Sequence, residues 1–506
     1  MQMLQSRFLV ATACAAGLGV SSAAAQVIAS WDSPGGGAWG AADNWDVGEV
    51  PGVLGQDDQA TIDLRGGAYS IDLDVTVTLD TFVFTSADAT IEGVGANTIT
   101  VLDTLEFGDG TAMAIADLRS QGTLIFTGSL LADICDTPMC TIGGGRKTGT
   151  GDVFFGGSTV FTNGDGSLFT IESSGDFLGD STATFRNEGV LRKESPGVTL
   201  IDEVLFENPG TLAVTDGTLT ITNPALPTPG VLGTGRYEVF GGSTLDLNGT
   251  PLSESEADVQ LDGDGSSFPD FESVTENRGR FTASGFATFT FGSPDGLLNE
   301  GLLAADGAGS RVDAVGSINN AGGVVSVLNG GVVSAGLGTG MLSLNNGGEL
   351  NGSGTAEAAM VLNSGVVSPG QSPGLLRIES PSGTALFEQD NEGTLIFDIE
   401  GRQPISDHDV LEVNGVANIF GGTLIVRFSP FTGEPPIMQG DAFDVLLAQV
   451  VQGEFDDIVI EGLGQGAEVD AVFLDDRLQI FVNAVPSPGV LAVLGAGGLL
   501  ASRRRR

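Results

Sequence analysis

The stretch Asn187-Glu188-Gly189-Val190-Leu191 decides the fold, because it returns. Asn208-Pro209-Gly210-Thr211-Leu212, Asn277-Arg278-Gly279-Arg280-Phe281 and Asn299-Glu300-Gly301-Leu302-Leu303 repeat its order. Asn320-Ala321-Gly322-Gly323-Val324 and Asn363-Ser364-Gly365-Val366-Val367 continue it. Each is an asparagine, a turn, a glycine and then a mostly β-forming or apolar pair. The spacings are 21 (187 to 208), 22 (277 to 299) and 21 (299 to 320). A longer echo runs from GTGDVFFGGSTVFTNG at Gly149 to GTGRYEVFGGSTLDLNG at Gly233. Its "GGST" recurs after 85 residues (156 to 241), about four such units.

A unit of about 20 residues, made of short strands and Gly/Asn turns, predicts an all-β chain folded as a parallel β-solenoid, or β-helix. One coil cannot bury its own apolar face, so it stacks on the next at ~4.8 Å. Val, Leu, Ile and Phe fill the interior. Asparagine suits left-handed turn positions and can stack in ladders. About fifteen coils would make a rod of roughly 70 Å. A β-sandwich array is the competing reading, since its strands also alternate. The gaps are irregular, with 26 residues from Asn320 to Asn346.

Composition agrees with short strands and tight turns. Gly contributes 78 of 506 residues and Phe 28, against 2 Tyr. Hydrophobic residues make up 41%, which is enough for an extended core and too apolar for disorder. Charge is lopsided: 20 Lys+Arg against 65 Asp+Glu, a formal −45. Five basic residues are terminal, Arg7 and Arg503 to Arg506, so the stretch between carries 15 − 65 = −50. Such a body repels nucleic acid and anionic lipid and attracts cations.

The ends carry signals of their own. MQMLQSRFLVATACAAGLGVSSAAAQ has a basic start at Arg7, an apolar run from Phe8 to Val20, and small residues before a cleavage point between Ala25 and Gln26. That pattern predicts a secretory signal peptide; an anchor helix is the alternative. At the other end no charge occurs from Leu478 to Ser502, and four arginines follow. The segment from Gly489 to Ser502 can form a transmembrane helix of ~20 Å. Arginines after it would stay cytoplasmic, so both ends put the body outside the inner membrane.

Val485-Pro486-Ser487-Pro488-Gly489, the apolar helix and Arg503, Arg504, Arg505 and Arg506 together resemble the PEP-CTERM sorting signal. The resemblance covers about the last 22 residues, with Pro-Ser-Pro in place of the family's usual Pro-Glu-Pro. It implies recognition and cleavage by an exosortase, a membrane sorting enzyme, and a final place at the cell surface or outside it. An uncleaved C-terminal anchor is the alternative. The body has family likeness too. The segment holding Trp31, Trp39 and Trp45 resembles the aromatic opening of bacterial surface proteins with autotransporter-like repeats. Those rings would cap the first coil; a sugar-stacking platform is the rival reading. Residues 366–482 resemble the β-strand module that closes many autotransporter passengers and PEP-CTERM proteins. Ser368-Pro369-Gly370 and Ser372-Pro373-Gly374 are expected to form its opening turns. The expected division is a signal peptide at 1–25, a Trp-rich cap at 26–65, solenoid repeats at 66–365, a β-strand module at 366–484 and a sorting tail at 485–506.

Chemistry-bearing residues are sparse. Cys135 and Cys140 flank a turn in CDTPMC, which predicts one small-loop disulfide in an oxidising compartment, with free buried thiols as the alternative. His408 is the single histidine, and Ser406, Asp407 and Asp409 beside it do not make a catalytic triad by adjacency. Carboxylates are plentiful but scattered. Asp-Gly turns such as Asp262-Gly263-Asp264 fit solvated turns, or weak Ca²⁺ binding at most, and no other cofactor is expected. The expected function is an exported, non-enzymatic cell-surface or matrix protein, structural or adhesive in a biofilm and partnered by extracellular polysaccharide. The alternative is a carbohydrate-active β-helix enzyme, a polysaccharide lyase or hydrolase.

Overall fold

Strands three to six residues long alternate inward and outward side chains, as in Tyr69–Leu73 and Arg280–Ser284, so each coil turns one apolar edge to the axis. The computed structural model describes residues 26–53, 57–129, 131–371, 373–429, 436–464 and 466–485. They form an all-β, parallel solenoid of about fifteen turns with almost no helix. The sandwich-array reading is thereby corrected: the coils pair in parallel along the chain, and antiparallel ladders are confined to the C-terminal end.

Three faces make a coil. One coil is Thr184–Asn187, Val190–Lys193 and Val198–Asp202; the next is Leu205–Glu207, Thr211–Val214 and Thr218–Ile221. Each strand pairs in register with its counterpart one coil on. The second face is an unbroken ladder from Ile28–Ser30 to Asp457–Glu461. It crosses residue 366 without interruption, so residues 366–461 continue the same stack with longer strands such as Val410–Ile419. Ser368-Pro369 ends the strand Val366–Pro369, and the bend begins at Gly370, whose φ is +89°. Ser372 lies outside the described residues.

The repeated asparagine closes the first face with its side chain turned inward. Asn163 donates to Asn187 and Asn187 to Asn208, each at 2.7 Å; Asn277, Asn299 and Asn320 form a second such ladder, also at 2.7 Å. These asparagines lie outside the left-handed region, contrary to the turn role expected for them. The glycine that follows has a different reason to be glycine. At Gly279 and Gly301 φ is not positive. A Cβ there would lie under 3.0 Å from the backbone of the previous coil, at Ala257 and Gly279 respectively. Close stacking sets that requirement, so the motif encodes the approach of coils rather than a turn type.

Among the described residues the third face breaks once. Its ladder stops at Thr244–Asp246 and resumes at Thr288–Phe291. A 3-10 helix, Pro269–Ser273, fills the gap and drives Phe271 inward onto Phe281, with ring centroids 5.3 Å apart. At the C-terminal end, Ala442–Gly453 pairs antiparallel with Arg477–Ala484, and that strand pairs antiparallel with Glu468–Leu474. Among the described residues no helix is long and apolar enough to cross a membrane. The expected signal peptide with Ala25, and the tail Pro486 to Arg506 with its apolar segment, lie outside the described residues; Gln26 and Val485 are their neighbours within them.

Candidate functional site: buried charges and a corner groove

Alternation along a strand carries two lysines into the core. Lys147 and Lys193 are the chain's only lysines. They follow Arg146 and Arg192, which point outward, and lie in one interior column with Phe126, Ile171 and Val214. Both are at most 1% exposed. The Lys147 ammonium donates to the Gly149 carbonyl at 3.0 Å and to Ser173 Oγ at 3.2 Å, and sits 6.0 Å from the centre of the Phe177 ring. Lys193 donates to Ser195 Oγ at 3.0 Å and to the carbonyls of Ser195 and Asp216. Ser195 Oγ donates to the Ser173 carbonyl at 2.9 Å, which joins the two sites along the axis. Burial lowers both pKa values, that of Lys147 to about 8, against the pull of Asp152 and Asp176.

Buried carboxylates serve where ladder bonds are missing. Asp58 accepts from the amides of Val27 and Gly52, both at 2.8 Å. Asp409 accepts from Gly374 and Asp398, both at 2.9 Å, and burial pushes its pKa up to about 7. Asp270, in the 3-10 helix, accepts from the Leu247 amide at 2.6 Å where the third face has stopped; burial raises its pKa too. Each of these bonds gives a partner to a buried or half-buried backbone N–H that lacks one in the ladder.

The residues singled out in the sequence fall as follows. His408 is buried, with Nδ1 3.3 Å from the Gly401 carbonyl and its ring edge-on to Phe443; burial lowers its pKa. Ser406 donates to Asp407 at the surface, and Asp409 is committed to backbone amides, so no triad is assembled. Trp31, Trp39 and Trp45 pack edge-on into one another, and Trp39 does so onto Phe82 of a following coil; all three rings are buried, which corrects the sugar-platform reading. Cys135 ends the strand Leu131–Cys135 and Cys140 lies in Met139–Thr141, on adjacent faces. Asp262 accepts from Ser284 Oγ at 3.0 Å. Among the described residues no group of three or more His, Cys, Asp or Glu side chains could hold a metal ion.

Interruption of the third face leaves a hollow that the sequence did not announce. A corner groove of about 740 Å³ opens between the loop Gly249-Thr250-Pro251 and the 3-10 helix, with Asp246, Asp270 and Glu272 on its walls and no lysine or arginine among its lining residues. Thr275 lies in its wall and in that of a second hollow of about 510 Å³ further along the rod. Outward rungs nearby are ion-paired: Arg278 bonds to Glu254, Glu276 and Glu300 on neighbouring coils. No family model matches this chain, and no curated protein is significantly similar to it.

Proposed function

We propose that the chain is an exported bacterial surface or matrix protein without enzymatic activity, structural or adhesive within an extracellular polysaccharide layer. One observation carries the reading. Both lysines, the single histidine His408 and Asp409 lie inside the rod and bond to its own backbone and serines. The outside is a stack of similar rungs, suited to extended contact rather than to one reacting centre. The order of motif, apolar segment and arginines from Val485 to Arg506 supports handling by an exosortase-type enzyme after export. Fractionation with intact-mass measurement tests this. Wild type should start near Gln26, lose the segment after Pro488 and reach the surface. Deleting Arg503 to Arg506 should release uncleaved protein to the periplasm, whereas replacing Pro486 and Pro488 by Ala should hold it uncleaved in the inner membrane. Surface protein that still carries Arg503 to Arg506 would refute the sorting mechanism.

A second reading, a carbohydrate-active enzyme, is favoured by one observation: Asp246, Asp270 and Glu272 share one groove. Release of reducing or unsaturated ends from a polysaccharide, abolished by Glu272→Gln, would establish it.

A further inference from the structure

The two hollows share Thr275 and form one trough along the rod, from Asp246 to Asn345. Its far half differs from the charged rungs beside it. Leu297–Asn299, Ile318–Ala321 and Met341–Asn345 stack in register, so Leu298, Asn319 and Ser343 occupy one column. Asn345 Nδ2 and Ser343 Oγ both donate to Asn319 Oδ1, at 2.8 and 3.3 Å. That orients the Asn319 amide and leaves its NH₂ group free to donate outward. Met341, 37% exposed, and half-buried Leu298 supply apolar surface beside these amides. Asp295 is the one charged residue lining this half.

We infer that this trough binds a linear, uncharged glycan lying along the rod axis, an inference that rests on the polysaccharide-layer reading above. The charges select the class. A polyanionic glycan would meet Asp246, Asp270, Glu272 and Asp295, on a chain of formal charge −45, with no cation lining the trough. A neutral chain loses nothing to that field. Its hydroxyls match the outward carboxamides of Asn319 and Asn345, which buried Ser343 helps to orient, and its C–H faces match Leu298 and Met341. Mostly apolar walls with a few oriented polar groups are the usual make-up of a small-ligand site. Coils advance by ~4.8 Å, close to the length of one sugar unit in an extended chain, so successive units meet successive rungs.

Calorimetric titration of the purified full chain with cellohexaose, laminarihexaose, mannohexaose and an alginate hexamer tests the inference. At least one neutral hexamer should bind, and the alginate hexamer should not. Asn319→Ala should weaken that binding by about tenfold or more, with the β-fold intact by circular dichroism. Leu298→Glu, a second route to the same floor, should do likewise. Failure of all three neutral hexamers to bind at millimolar concentration, comparable binding of alginate, or wild-type affinity in both variants would overturn it. Fractionation of the tail mutants is independent of these titrations, so a rod that is exported but binds no neutral glycan loses the trough and keeps its place at the surface.

Discussion

Replacing Lys147 by methionine should stabilise this protein. The ammonium is surrounded by Phe126, Phe177 and Ile171 and has carbonyl and hydroxyl partners but no carboxylate bonded to it. Its pKa falls from 10.5 to about 8, and at 1.36 kcal/mol per unit the charged form costs the folded state about 3 kcal/mol. Methionine fills a similar volume without that charge. Ser173 Oγ still donates to the Gly149 carbonyl at 2.5 Å, so removing the amine does not strand that oxygen. Allowing for the lost ammonium bonds, the gain at pH 7 should be about 1–3 kcal/mol. The dependence on pH identifies the cause. A lysine whose folded pKa is depressed carries its full cost below about 8 and loses it as pH rises toward 10.5, where the unfolded chain also gives up its proton. Wild type should therefore gain stability between pH 8 and 10.5 relative to Lys147→Met, and the two melting curves should converge. Calorimetric midpoints at pH 7, 8.5 and 10 measure this. A variant that melts below wild type at pH 7, or an offset that does not shrink with rising pH, would refute the reasoning.

Three further outcomes follow from the stack. Asn299→Ala removes a side chain that accepts from Asn277 and donates to Asn320 and to the Gly301 and Val324 carbonyls; the buried partners left behind should cost about 3 kcal/mol, read by urea unfolding. Gly301→Ala places a methyl against the Gly279 carbonyl and should cost about 1–3 kcal/mol in the same assay, although the backbone angle itself tolerates alanine. For Asp409, with a folded pKa raised to about 7, the folded state holds a proton between pH 4 and 7 that the unfolded chain has released; its contribution should decline as pH rises through that window. Asp409→Asn should flatten the fall in melting temperature between pH 5 and 8; buried His408, whose pKa is lowered, works with the opposite sign.

The coil was legible because its length is written in the sequence: Asn187 to Asn208 and Asn299 to Asn320 are 21 apart, and the ladder bonds span the same 21. What the motif residues do was less legible. Gly301 reads as a turn glycine until the previous coil is seen against it, since close approach between segments distant in sequence leaves no local mark. The lysines were legible in principle. In Arg146-Lys147 and Arg192-Lys193 strand alternation must send one member inward, yet lysine next to arginine reads as surface. The trough had no signature. It arises where a strand is missing from the third face and Pro269–Ser273 stands in its place, and an absent rung is invisible in a composition rich in turns.

Confining both lysines to the interior has a chemical consequence for the exterior. Apart from the chain's own α-amino group, the surface offers no primary amine. Reducing sugar ends condense with exposed amines, and carbonyl cross-linkers attack the same groups. A rod clothed in carboxylates, amides, hydroxyls and guanidinium groups gives neither a lysine to react with. Long residence beside carbohydrate would leave its surface free of lysine adducts, and ammonium groups sealed inside the rod would keep that protection for as long as the coils stay stacked.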